Sequence, residues 1–198
     1  MAKKNESWIV EGSGGWVSNL LRGCLSTPEN ILSEFSSEDQ HKADGFACRL
    51  VITGEGGGVF DLMFSERHGI EAKQPDVPLR NTVIFDEKML EDLTYPDLSQ
   101  IKASNGEGEL TGTEALVYLM DHEGMDAVLP NLHPRISLSK ALYNQEIYFD
   151  GENPDIDGIK WRQIFDRILY KVAFPLMVRA MWQGAKKIKK REQEGAKP

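Results

Sequence analysis

The chain has 198 residues and a formal net charge of −8, and its composition is that of an ordinary soluble protein. It contains no run of about 18 apolar residues and begins with a polar segment, so we expect neither a membrane-spanning helix nor a signal peptide, and a cytoplasmic location. From residue 160 onward there are 11 basic and 3 acidic side chains, which leaves a charge of −16 on the preceding residues. This acidic body argues against nucleic acid as a partner.

The first 45 residues predict two helices before any strand. Residues 1–15 are expected to be loosely structured, and the apolar residues from Trp16 to Cys24 then recur at helical spacing. Thr27 and Pro28 predict the start of the second helix, because threonine is a good N-cap and proline suits the first helical position. The inward stripe of this second helix consists of Ile31, Leu32 and Phe35.

The stretch from 46 to 85 alternates between apolar and polar residues and predicts a sheet. Apolar residues recur at every second position in residues 46–52 and 60–64, and the glycine cluster 54–58 between them predicts a hairpin turn. Residues 69–74 and 79–85 continue the alternation. Short turns between strands are typical of an antiparallel meander, and the acidic segment 107–110 is expected to be its last strand.

Helical patterns follow the sheet. Asp86 is a predicted N-cap for a short helix that carries Met89, Leu90 and Leu93 on one face. Thr111 and Glu114 have capping-box spacing and predict a helix whose apolar side is Ala115, Leu116, Leu119 and Met120.

The last 40 residues hold the strongest helical pattern in the chain. A short helix is expected within 136–143 and a turn at 153–158, before an amphipathic helix over 159–194. Pro175 lies inside this helix and should kink or split it. A stripe of this width usually faces a core, which favours packing on the domain or in a dimer over a free helix.

No arrangement of residues predicts chemistry. The glycine cluster 54–58 lacks a following Lys-Ser/Thr and precedes a strand pattern, so it is not a phosphate loop. His122, Glu123 and Asp126 lie at a helix end where polar side chains are expected, and they lack metal-ligand spacing. Cys24 and Cys48 show neither disulfide nor metal spacing, which indicates two buried thiols. We therefore predict no catalytic residues, no metal and no cofactor.

The order of elements resembles the sterol carrier protein type 2 domain over residues 29–122. Residues 46–53, the glycine turn and residues 59–64 look like the first two strands of that family. Residues 85–93 look like its short helix with an acidic cap, and residues 101–112 look like its "K-A … G-K-L-K-I-K-G" segment. That segment is acidic here, so the resemblance does not extend to binding an anionic head group there.

The resemblance implies an α+β fold, with a mostly antiparallel five-stranded sheet covered by helices around an apolar tunnel. It divides the chain into an extension (1–28), a carrier-like domain (29–124), a connecting segment (125–158) and the long helix (159–194). The implied function is non-enzymatic carriage of a lipid, fatty acyl or sterol-like molecule. Apolar side chains would line the pocket: Phe60, Leu62, Phe85, Met89, Leu90, Leu93, Leu116 and Met120.

Other functions remain open beside the carrier. In one, the pocket is filled and the basic terminal helix docks on a partner protein, on a second copy of the chain or on a membrane surface. In another, the domain is a non-catalytic subunit that holds substrate for a catalytic partner.

Overall fold

A computed structural model describes residues 8–26, 44–65, 69–74, 76–151 and 154–195. The predicted helix after Thr27, with its stripe of Ile31, Leu32 and Phe35, lies outside the described residues.

Alternating sequence patterns form the strands of a six-stranded main sheet and a separate two-stranded one. The main sheet has the order β1-β3-β2-β5-β8, and β4 pairs with β3 beyond β1. The two-stranded sheet pairs β6 with β7. In chain order the strands are β1 (Ile9–Glu11), β2 (Ala47–Thr53), β3 (Gly58–Ser65), β4 (Gly69–Ala72), β5 (Asn81–Asp86), β6 (Lys102–Ser104), β7 (Glu109–Thr111) and β8 (Ile147–Gly151).

The predicted α+β class is confirmed, but the prediction of an antiparallel meander is wrong in two respects. The strand β5 crosses over and pairs in parallel with β2, so the main sheet is mixed. The segment 107–110 contributes to β7, which belongs to the small sheet, while β8 takes the outer edge next to β5. Alternation specifies which face of a strand is apolar and leaves its pairing partner undetermined, because every inward row can be buried in several strand orders.

Helices cover the inner face of the main sheet, which carries the apolar rows of β2, β3 and β5. Cys48, Leu50, Phe60, Leu62 and Val83 are buried there, as the alternation predicts. The helices are α1 (Trp16–Leu25), α2 (Glu87–Thr94), α3 (Gly112–His122), α4 (Met125–Val128), α5 (Leu138–Tyr143), α6 (Pro154–Ile168) and α7 (Phe174–Gly195). Short 3₁₀ turns lie at Leu98–Gln100 and Leu129–Asn131, and a π-helical segment at Leu169–Ala173 joins α6 to α7.

The terminal helical stretch departs from expectation at its start and is divided where a break was expected. It begins at Pro154, inside the segment predicted as a turn, because proline suits the first turn of a helix. The π-helical segment ends just before Pro175, which lies in the first turn of α7. Proline lacks an N–H, and the change of hydrogen-bond pattern ahead of it accommodates that loss without ending the helix.

Two of the predicted caps have different outcomes. The carboxylate of Asp86 accepts a hydrogen bond from the backbone N–H of Lys88 at 2.8 Å, which confirms it as the N-cap of α2. Thr111 is the N-cap of α3, but its side chain makes no capping hydrogen bond, so the predicted capping box is not formed.

The glycine cluster is a hairpin turn, and it packs tightly against the start of α1. The carboxylate of Glu87 accepts hydrogen bonds from the backbone N–H of Gly56 at 2.7 Å and from Trp16 Nε1 at 3.2 Å. A Cβ on Gly12 or Gly15 would collide with the carbonyl oxygens of Gly57 and Gly56, respectively. Glycine is therefore needed here for close backbone approach.

The described residues form two hydrophobic cores. The larger lies between the inner sheet face and α1, α2, α5, α6 and the π-helical segment. The smaller lies between α3, α4 and the start of α7, and it includes Leu116, Met120, Phe174 and Val178. The terminal helical stretch contributes to both cores.

Candidate functional site

A cavity of about 40 Å³ lies between the inner face of the main sheet and α6. Every side chain that lines it within the described part of the chain is apolar or a thiol. The sheet, α1 and α6 supply them: Leu21, Phe46, Cys48, Leu50, Leu62, Met63, Phe64, Ile70, Trp161, Ile164, Phe165 and Ile168.

The helical wall of the cavity is built by the spacing of apolar residues in α6. Trp161, Ile164, Phe165 and Ile168 recur at steps of three and four, so they project from one face of the helix. The rings of Trp161 and Phe165 are stacked, with centroids 4.8 Å apart, and Phe165 also contacts Phe85 of β5 at 5.8 Å. These aromatic contacts hold α6 against the sheet.

The cavity offers no charged group and no nucleophile. Burial raises the pKa of the Cys48 thiol to about 12, and the nearby carboxylate of Asp61 adds to the shift. Because the thiolate is the reactive form, Cys48 stays protonated and inert near neutral pH. Arg49, next to it in β2, faces the other side of the sheet and pairs with Asp61 at 2.8 Å. The lining is therefore suited to apolar matter and not to bond-breaking chemistry.

The eight residues predicted to line a pocket are divided between the two cores. Leu62 alone of the eight borders the cavity. Phe60, Phe85, Leu90 and Leu93 are buried around it in the larger core, and Met89 packs against that core while remaining partly exposed. Leu116 and Met120 lie in the smaller core. The structure thus brings six of the eight into one core and places two elsewhere.

Sequence reasoning missed the four α6 residues as cavity lining. Trp161, Ile164, Phe165 and Ile168 lie outside the segment that resembles the carrier family, so no pocket role was assigned to them. Their apolar stripe was detected and was interpreted as packing. The signal that would have found them is the match between that stripe and an inner sheet face that needs a cover.

Two other concave surfaces mix polar and apolar residues. A groove of about 360 Å³ borders the loop after α2, with Asp97, Lys102, Glu123 and His133 at its walls. A groove of about 560 Å³ runs between α3 and α7, where polar side chains including Glu114, His122 and Lys189 alternate with apolar ones. The described residues contain no group of three or more His, Cys, Asp or Glu side chains placed to hold a metal ion.

The α3–α7 groove is bordered by a polar contact that joins the two helices. The carboxylate of Asp121 accepts hydrogen bonds from Trp182 Nε1 at 2.9 Å and from Lys186 Nζ at 2.8 Å. These bonds, led by that from Lys186, lower the pKa of Asp121 below its ordinary value. In the same groove, the rings of Tyr118 and His122 are stacked with centroids 4.0 Å apart. These groups fasten α7 to α3.

Membrane insertion was tested on the helices of the described residues. None of them combines the length and the apolar character that crossing a bilayer requires.

Comparisons with known proteins find likenesses in structure alone. No family model and no curated protein matches the sequence. A solved structure described as "UbiJ-SCP2 Ubiquinone synthesis protein" is 13% identical, with 78% of this chain and 96% of that chain covered and a TM-score of 0.39. "Sterol Carrier Protein 2 from Yarrowia Lipolytica (apo form)" is 11% identical, with 84% and 98% covered and a TM-score of 0.38. Likenesses at such TM-scores carry no weight in assigning the site.

Proposed function

We propose that this protein binds an apolar small molecule between the inner face of its main sheet and α6, and acts as a non-enzymatic carrier. The observation that carries the proposal is the cavity described above, which lies in the larger core and whose described lining has no charged side chain. Burial of apolar ligand area against such a lining is the expected source of affinity, at about 25 cal/mol per Å².

The size of the cavity requires that the site expand when it is loaded. Small-molecule sites usually enclose roughly 300–1,000 Å³, whereas this cavity encloses about 40 Å³. The contacts that hold α6 to the sheet are made by apolar side chains such as Trp161 and Phe165. A ligand that enters between them keeps the same apolar surfaces away from water, so separation of the two layers is compensated by ligand contacts.

The proposal is tested by native mass spectrometry of the purified protein, with organic extraction of what it releases, and by titration with the uncharged apolar dye Nile red. We expect a discrete additional mass or saturable dye binding. The variant Ile164→Trp fills the cavity and should weaken dye binding roughly tenfold or more, because overpacking opposes a guest. Val51→Phe, on the outer sheet face, is the matched control and should bind as the wild type does. A bare chain mass together with no dye binding contradicts the carrier function.

A second candidate function rests on the exposed end of α7. Lys186, Lys187, Lys189, Lys190 and Arg191 are exposed there, and Ile188 is the only large apolar side chain among the described residues of that end that is largely exposed. A helix that lies in a membrane surface needs a continuous apolar face, so this end is better suited to an acidic protein surface. In pull-downs with the full chain, reversal of Lys187 and Lys190 to glutamate should abolish capture of such a partner, while Lys73→Glu in the body should not.

A further inference from the structure

The inner face of the main sheet carries one polar side chain whose hydrogen bonding is incomplete. Asn81 begins β5 and is 5% exposed. Its Nδ2 donates to the backbone carbonyl oxygen of Ala47 at 3.2 Å. This contact assigns the orientation of the amide, because a carbonyl oxygen can only accept. No group in the described part of the chain donates to its buried Oδ1.

The position of this oxygen connects it to the proposed site. Asn81 is the register partner of Cys48, which lines the cavity, and both side chains lie on the inner face. On its other side, Asn81 is the register partner of Gly151 in β8. A Cβ at Gly151 would collide with Asn81 Oδ1 and would crowd the ring of Phe149. Glycine at 151 therefore leaves space beside the oxygen.

The ring of Phe149 links this space to the cavity wall. It lies 6.2 Å from the ring of Trp161, which lines the cavity. The acceptor oxygen thus lies at the end of the apolar site where β5, β8 and the helical wall approach one another. Buried polar atoms in folded proteins almost always have a partner, and an exception calls for a donor from outside the chain.

Resting on the function proposed above, we propose that Asn81 is a specificity-determining residue, whose Oδ1 accepts a hydrogen bond from the hydroxyl group of the bound molecule. The ligand class is then an uncharged apolar alcohol. A hydrocarbon or an ether leaves the buried oxygen without a donor, so it forfeits that hydrogen bond. A carboxylate would bury a charge beside an acceptor, and no cation lines the cavity among the described residues.

The experiment compares three probes of equal chain length: dodecanol, dodecyl methyl ether and dodecanoate. Affinities are measured for the wild-type protein by displacement of Nile red. Dodecanol should bind roughly tenfold more tightly than the ether, as expected for one hydrogen bond to a buried acceptor, and dodecanoate should be the weakest. Equal affinities for the alcohol and the ether would overturn the proposal while leaving the carrier function intact. If none of the three probes nor the dye binds, the carrier function fails as well.

Variants assign the preference to the residue. Asn81→Leu keeps the approximate volume and should equalise the alcohol and the ether by lowering only the affinity for the alcohol. Thr94→Val is the matched control, because Thr94 is a buried polar residue of α2 whose hydroxyl donates to the carbonyl of Leu90 at 2.7 Å, away from the cavity lining. It should retain the tenfold preference. Retention of the preference by Asn81→Leu would overturn the role of Asn81.

A spectroscopic measurement keeps the proposal testable if Asn81→Leu fails to fold. In ¹⁵N-labelled wild-type protein, dodecanol should shift the side-chain amide resonance of Asn81 to lower field, because a hydrogen bond to Oδ1 polarises the amide group. The ether should produce no such shift. A shift of equal size with both probes would indicate contact without hydrogen bonding and would contradict the assignment.

Discussion

The two ends of the terminal helical stretch have similar amphipathic patterns and opposite environments. In α6, Trp161, Ile164 and Phe165 are buried against the main sheet and form one wall of the cavity. In α7, Val178 is fully buried in the smaller core, whereas Ile188, ten residues later, is 59% exposed. Periodicity defines an apolar face but does not provide the surface that covers it. The first end is thus part of the core, and the second is available to a partner.

The largest expected effect is at the buried end. Phe165→Ala removes a ring that contacts both Trp161 and Phe85, and it should lower the free energy of unfolding by about 3–5 kcal/mol, since it leaves a cavity in the larger core. Chemical denaturation measures this difference. Gln163→Ala, at an exposed position of the same helix, is the control and should stay within about 0.5 kcal/mol of the wild type. A loss below about 1 kcal/mol for Phe165→Ala would mean that α6 does not cover the sheet in solution.

A smaller effect is expected where α7 enters the smaller core. Val178→Ala removes two methyl groups' worth of buried surface at a fully buried position, so the free energy of unfolding should fall by about 2 kcal/mol. The same denaturation experiment measures it, with the exposed Gln183→Ala as its control. A cost close to zero would indicate that the first turns of α7 are not packed against α3.

The polar contact between α3 and α7 should contribute less again. Asp121→Asn removes the charge that attracts Lys186, and near pH 7 it should cost about 0.2–1 kcal/mol, as surface ion pairs do. Because the pKa of Asp121 in the folded protein lies below its ordinary value of 3.8, its contribution is present above that value. It is lost as the pH falls through the folded-state pKa.

The pH dependence provides the measurement. The difference in unfolding free energy between the wild type and Asp121→Asn should shrink when the pH is lowered from about 7 to about 3, and also when salt is raised at neutral pH. Lys190→Gln is a useful control, because Lys190 pairs with Glu194 within α7 at 3.7 Å and does not join the two helices. A difference that grows on acidification would contradict the assigned sign.

The smallest effect is expected at the exposed end. Ile188→Ser should change the free energy of unfolding by no more than about 0.5 kcal/mol, because the side chain is already largely in water. Thermal unfolding at several protein concentrations checks this. A large, concentration-dependent destabilisation would show that Ile188 is buried between copies of the chain, and it would remove the contrast between the two ends.

Much of the local structure follows from residue patterns alone. The inward rows of β2, β3 and β5, the glycine hairpin, the N-cap at Asp86 and the buried state of Cys24 and Cys48 all agree with predictions made from spacing and residue type. Each depends on neighbours close in sequence, and such preferences survive in any fold that buries the same face. The cavity was less accessible, because its two walls come from segments about 100 residues apart.

The sequence by itself determined which faces of the strands and helices are apolar, since side-chain direction alternates or rotates with the local backbone. The tertiary structure alone decided that β5 pairs in parallel with β2, that β8 takes the edge in place of β7, and that α6 lies over the inner face. It also placed Asn81 between Cys48 and Gly151 with an acceptor oxygen in an apolar setting. These outcomes depend on how distant segments share one limited interior, because the free energy of burial is nearly independent of which apolar partner provides the cover.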